Sequence, residues 1–134
     1  MILVDTNVLL DLVTDDPDWS AWSLARLEEA ALAGPILIND VVYAETSIRY
    51  DRIEDIDAML AEAMIEVVAT PRSALFLAGK AFQRYRKAGG TRTGVLPDFF
   101  IGAHATVQGW PLLTRDASRF RRYFPKLRLI APPR

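Results

Sequence analysis

The chain has no cysteine, one histidine (His104) and no apolar run long enough to span a membrane. Without cysteine there are no disulfides and no thiol catalysis, and with a single histidine the usual Cys/His zinc sites are excluded as well. Any metal must therefore be held by oxygen ligands, which selects a hard cation such as Mg²⁺ or Mn²⁺. The N-terminus, MILVDTNVLL, lacks the basic region of a targeting segment, so the expectation is a soluble, cytoplasmic protein with no membrane partner. At 134 residues the chain is sized for one domain, 1–134, with a core of its own.

Charge is unevenly spread. Residues 1–70 hold fifteen Asp/Glu against three Lys/Arg, a net −12, whereas residues 71–134 hold two against thirteen, a net +11. Such polarity fits a nucleic-acid partner, and it equally fits acidic and basic elements neutralising each other on a shared surface.

Short apolar runs alternate with helical patterns. Strands are expected at Met1 to Val4, Ile36 to Ile38, Glu66 to Val68, Leu112-Leu113 and Leu127 to Ile130. Between them, helices are expected over Val8 to Val13, Trp19 to Ala33, a segment capped by Asp40 that carries Val41 to Ile48, and Ile53 to Met64. Three more follow: Pro71 to Gly89-Gly90, LPDFFIGAHA onward to a stop at Gly109, and Asp116 to Tyr123. The alternation indicates an α/β/α sandwich around a mostly parallel sheet of about five strands.

Four acids stand where packing alone would not put them. Asp5 follows the first strand and Asp116 the fourth, and the carboxyl edge of a parallel sheet is where ligands bind. Asp98 shares a helix face with Ile101, Gly102 and Ala105, and Glu45 sits amid Val41, Val42 and Ile48. Were the four to converge, carboxylates about 4 Å apart would repel by roughly 4 kcal/mol at an effective dielectric near 20. A divalent cation removes that repulsion, and one that keeps several waters can take a phosphate and activate water as a nucleophile. Each acid also has a structural reading: Asp5 and Asp116 as helix caps, Asp98 as an anion at a helix N-terminus, Glu45 as the partner of a buried arginine. Asn7 and Thr114, two residues from Asp5 and Asp116, suit either waters around a metal or turn hydrogen bonds.

The remaining polar residues take structural roles. His104 points away from Asp98 and reads as a hydrogen-bonding link between elements, and Trp19 and Trp22 read as core or partner-facing. Asp15, Asp16 and Asp18 suit turns, while Glu54, Asp55 and Asp57 suit a solvated helix start.

Taken together, VDTNVLLDL at Val4 to Leu12, Glu45 in VVYAE, LPDFFIGAHA, and LLTRDASRF at Leu112 to Phe120 resemble a PIN-domain ribonuclease of the VapC type, the toxin of a bacterial toxin-antitoxin pair. The resemblance spans nearly the whole chain in order and spacing. It implies a PIN fold and Mg²⁺-dependent endoribonuclease activity, with Mn²⁺ able to substitute, leaving a 5′-phosphate and a 3′-hydroxyl. It assigns Asp5, Glu45, Asp98 and Asp116 as catalytic and metal-binding residues, with Asn7 and Thr114 as polar neighbours. The implied partners are RNA, a cognate VapB-type antitoxin and a second copy of the chain, the antitoxin placing an arginine in the acidic cleft. On this reading Arg84, Arg86, Lys87, Arg92, Arg115, Arg119, Arg121 and Arg122 are sources of phosphate contacts.

Two other functions compete. One is a non-catalytic nucleotide- or protein-binding module on the same fold, which has little reason to crowd acids. The other is a phosphatase of the haloacid-dehalogenase kind, which needs a second aspartate where this chain has Asn7.

Overall fold

In the computed structural model, which describes residues 1–133, the five apolar runs form strands β1 (Ile2–Val4), β2 (Ile36–Asn39), β3 (Ile65–Val68), β4 (Leu112–Leu113) and β5 (Leu129–Ile130). They build one sheet in the order β3-β2-β1-β4-β5, and all four pairings are parallel. Successive side chains of a strand point to opposite faces, yet every residue of β1, β2 and β4 is buried. Helices therefore cover both faces of the sheet, which accounts for continuous apolar runs in place of alternation.

The helices are α1 (Thr6–Val13), α2 (Ser20–Ala33), α3 (Asp40–Ser47), α4 (Ile53–Glu62), α5 (Arg72–Lys87), α6 (Leu96–Gln108) and α7 (Ser118–Tyr123). Three helix starts differ from expectation by their caps or by more than one residue, and α1 begins at Thr6 instead of Val8, capped by Asp5. The cap of α3 is Asn39, whose side-chain oxygen accepts the Val42 N–H at 2.9 Å; Asp40 is already helical and its carboxylate takes the Thr70 hydroxyl. Asn39 is the last, extended residue of β2, the backbone geometry an N-cap requires. Likewise α7 begins at Ser118, and Asp116 stands in the turn before it.

Two features hold α6 in place. Gly109 ends it at φ 71°, a left-handed conformation that glycine adopts without strain. At Gly102 a Cβ would stand 2.6 Å from the Phe124 ring, so the bare backbone is what lets α6 approach the end of α7. Phe99, fully buried, packs among Phe82, Tyr85, Tyr123 and Phe124 with ring centroids 5.3–6.2 Å away. This aromatic cluster ties α5, α6 and the α7 region together and fixes the position of its neighbour, Asp98.

The strand order also creates a crevice. From β1 the chain builds outward through β2 to β3, then crosses back to place β4 on the other side of β1. Segments leaving β1 and β4 thus diverge at their carboxyl ends, the topological switch point at which open parallel sheets bind ligands.

Candidate functional site

At that switch point Asp5, Thr6, Asn7, Leu10, Glu45, Asp98 and Asp116 line one cleft of about 210 Å³. Four elements deliver the acids: Asp5 from the end of β1, Glu45 from α3, Asp98 from the first turn of α6 and Asp116 from the turn after β4. All four acids singled out in the sequence share this cleft. Among the described residues, however, no three acidic or imidazole groups stand close enough to hold an ion together. The carboxylates surround the space without closing on one point.

Each carboxylate is held differently. Asp5, only 5% exposed, is the N-cap of α1: one of its oxygens accepts the Thr6 N–H at 2.8 Å and the other accepts the Thr114 hydroxyl at 2.8 Å. It thus caps a helix and faces the cleft at once. Asn7 donates to the Thr114 oxygen at 3.3 Å, and Asp116 N–H donates to that oxygen at 3.1 Å, so Asn7 and Thr114 orient the acid on each strand end. Glu45 accepts the Thr6 hydroxyl at 2.6 Å and pairs with no arginine among the described residues. Asp98 alone meets a cation: Arg119 Nη1 lies 2.5 Å from its Oδ2.

The cleft disfavours negative charge. Burial first, then the Asp98 carboxylate and more weakly that of Glu45, push the Asp5 carboxyl up to about 7, against the hydrogen bonds from Thr114 and Thr6. Asp98 is also raised, by burial above all and by Glu45 and Asp116, with Arg119 pulling the other way. A buried carboxylate without a protein cation, facing two further acids, is chemically suited to a divalent ion with oxygen ligands. In chemical kind, though not in their present spacing, the donors suit such an ion, and Asp5, Glu45, Asp98 and Asp116 are the residues that would hold it.

The basic candidates are dispersed. Arg84, Arg86 and Lys87 occupy the last turn of α5, Arg92 lies in the following loop, and Arg121 and Arg122 are exposed on α7. Arg119 pairs with Asp98, one of the acids that line the cleft. Arg115 turns to Asp11, its Nε 3.0 and 3.1 Å from the two carboxylate oxygens. Asp11, 1% exposed, also takes the Ser23 hydroxyl at 2.8 Å. Sequence reasoning passed over Asp11 and Thr6. The signal for Asp11 was present, an acid on the α1 face between Val8 and Leu12.

His104 is 1% exposed and links α6 to β2, its Nδ1 lying 3.2 Å from Asn39 Nδ2, with burial lowering its pKa; it takes no part in the cleft. The face of α3 differs from expectation: Ile48 is 82% exposed and the buried stripe is Val42 and Thr46, so Glu45 borders the core instead of interrupting it.

Comparison with known proteins brings an independent finding. The family model of the PIN domain matches residues 2–124. No curated protein matches the sequence. Among solved structures, a chain of VapBC2 from Rickettsia felis, bound to a DNA fragment from the promoter, superposes with a TM-score of 0.75 at 23% identity, covering 99% of this chain and 100% of that one. A chain of VapBC-1 from nontypeable Haemophilus influenzae gives 0.70 at 20% identity, with 98% of each chain covered. FitAcB from Neisseria gonorrhoeae gives 0.68 at 17% identity, covering 97% and 96%.

Proposed function

Because this chain belongs to the PIN-domain family, we propose that it is a divalent-cation-dependent endoribonuclease, the toxin of a toxin-antitoxin pair, working with Mg²⁺ or Mn²⁺. The observation that carries the reading is Asp5: a buried carboxylate with no cation of its own, facing Asp98 and Glu45 across the cleft at the switch point. When bound there, a divalent cation supplies Lewis acidity at a phosphoryl oxygen and offsets charge developing during displacement.

The protein supplies orientation and proton acceptance. Thr114, itself held by Asn7, fixes Asp5, and Thr6 ties Glu45 to the start of α1, so carboxylates from separate elements are joined by hydrogen bonds. Glu45 Oε2 takes no hydrogen bond from a described residue and is free to accept a proton from attacking water. As the water oxygen bonds to phosphorus, the P–O3′ bond breaks and the departing oxygen takes a proton from solvent, leaving a 5′-phosphate and a 3′-hydroxyl. Arg119, at the cleft beside Asp98, is placed to meet negative charge on the phosphate.

RNA incubated with the protein in Mg²⁺, in EDTA, and with Asp5→Asn or Asp98→Asn tests this directly. Cleavage should require the ion and fall about 100-fold or more in each variant; undiminished cleavage by both would refute the site. The alternative, a non-catalytic nucleotide- or protein-binding module, draws on one observation, that Arg119 already meets Asp98. It requires RNA or partner binding without any Mg²⁺-dependent cleavage.

The partner reading draws on the VapBC and FitAcB complexes that the fold matches. An apolar groove of about 390 Å³ between α1, α2 and α4, lined by Leu12, Leu24, Leu27 and Met59, suits an apolar segment of an antitoxin that also reaches the acidic cleft with an arginine. Leu24→Glu should abolish co-purification of the co-expressed antitoxin. A homodimer is proposed through α5, where Phe76 is 68% exposed; Phe76→Glu should then sediment as a monomer.

A further inference from the structure

On the other side of Asp116 from the acidic cleft lies a second pocket, of about 420 Å³, for which the catalytic reading has no use. Its walls include Trp19, Ala131 and Pro132, with Arg115 and Arg121 supplying positive charge and Asp116 negative charge. Asp116 lines both spaces, so the two are neighbours.

One wall is unusually well fixed. Both oxygens of Asp11 clamp Arg115 Nε, and Ser23 holds Asp11 in turn. The guanidinium carbon then stands 5.4 Å from the centre of the Trp19 ring, and Trp22 braces that indole edge-on at 5.8 Å. The terminal nitrogens of Arg115 donate to no described residue and are not among the buried unpaired groups. Arg121 makes no ion pair among the described residues. The Arg115 guanidinium lies over one face of the half-buried indole, so the wall offers a planar ring the remaining surface of Trp19 and Arg115 with its free N–H groups, within a pocket in the roughly 300–1,000 Å³ range of small-ligand sites.

We propose that this pocket takes one unstacked nucleobase of the RNA, stacked on the wall formed by Trp19 and Arg115, while Arg121 meets the adjoining phosphate. The placement rests on the nuclease reading; recognition of a base does not. Stacking tolerates any base, so the site sets where the strand lies and how tightly it is held, without choosing a sequence.

The test compares two single-stranded probes of equal length in EDTA at low salt, fluorescein-labelled oligouridylate and an abasic ribose-phosphate oligomer. Anisotropy should show Trp19→Ala weakening oligouridylate about 5-fold or more while leaving the abasic oligomer within about 2-fold, and Trp19→Phe keeping most of the affinity. Ala131→Phe, which fills the pocket and leaves Trp19 in place, should act like Trp19→Ala. Equal loss on both probes in both alanine-site variants, or no loss on either, overturns the proposal. Cleavage by the wild-type protein in Mg²⁺ is scored separately. Base-dependent binding through Trp19 without cleavage defeats the nuclease reading alone, and cleavage with Trp19-independent binding defeats the pocket alone.

Discussion

Asp5 and Asp11 are both buried aspartates, six residues apart in sequence and both bound by a hydroxyl, yet they meet opposite surroundings. Asp11 receives Ser23 and the Nε of Arg115, so its charge is answered within the protein. Asp5 receives Thr114 and the Thr6 N–H but no cation, and faces Asp98 and Glu45. The first arrangement is structural, a knot pinning α1 to the segment after β4. The second is a negative site held in readiness, and the difference lies in whether the chain provides the positive charge.

The largest effect should appear in the pH dependence of stability without metal. Because the folded-state pKa of Asp5 is raised from 3.8 to about 7, its contribution is fully present below pH 4 and is lost as pH rises, completely so above 7. Relative to Asp5→Asn, the wild-type protein in EDTA should lose up to about 4 kcal/mol between pH 4 and pH 8, read by urea unfolding. A constant difference would erase the distinction from Asp11. Next in size, Asp11→Ala leaves Ser23 and Arg115 without their acceptor and should destabilise by roughly 2–4 kcal/mol in the same assay. Thr114→Val removes the hydroxyl on Asp5, which should cost about 1–2 kcal/mol and move the pH midpoint upward. Smallest, Arg119→Ala breaks a part-exposed pair and should change stability by about 1 kcal/mol or less, while tightening Mg²⁺ binding in calorimetry because Asp98 is released.

How far the sequence reached follows the same division. Asp5 and Asp116 were legible because continuous apolar runs revealed the strands, with Asp5 directly after β1 and Asp116 three residues past the end of β4. Asp98 and Asp116 are moreover the only two acids in residues 71–134, and both line the cleft. Glu45 was identified on an apolar face that Ile48, exposed to solvent, does not belong to; what brings it to the cleft is the Thr6 hydroxyl. The Asp11–Arg115 knot joins residues 104 apart, and Arg119 reaches Asp98 from another helix, pairings that local periodicity does not encode. The same holds for the wholly parallel register, which is set by pairings between distant segments.

Titration of Mg²⁺ or Mn²⁺ into the wild-type protein and Asp5→Asn at pH 8, followed by thermal unfolding, bears most directly on the acidic cleft. The expected result is a rise in Tm that saturates with metal in the wild-type protein and is absent in Asp5→Asn. An equal rise in both, or none in either, would mean that the carboxylates gathered between β1 and β4 do not receive a cation.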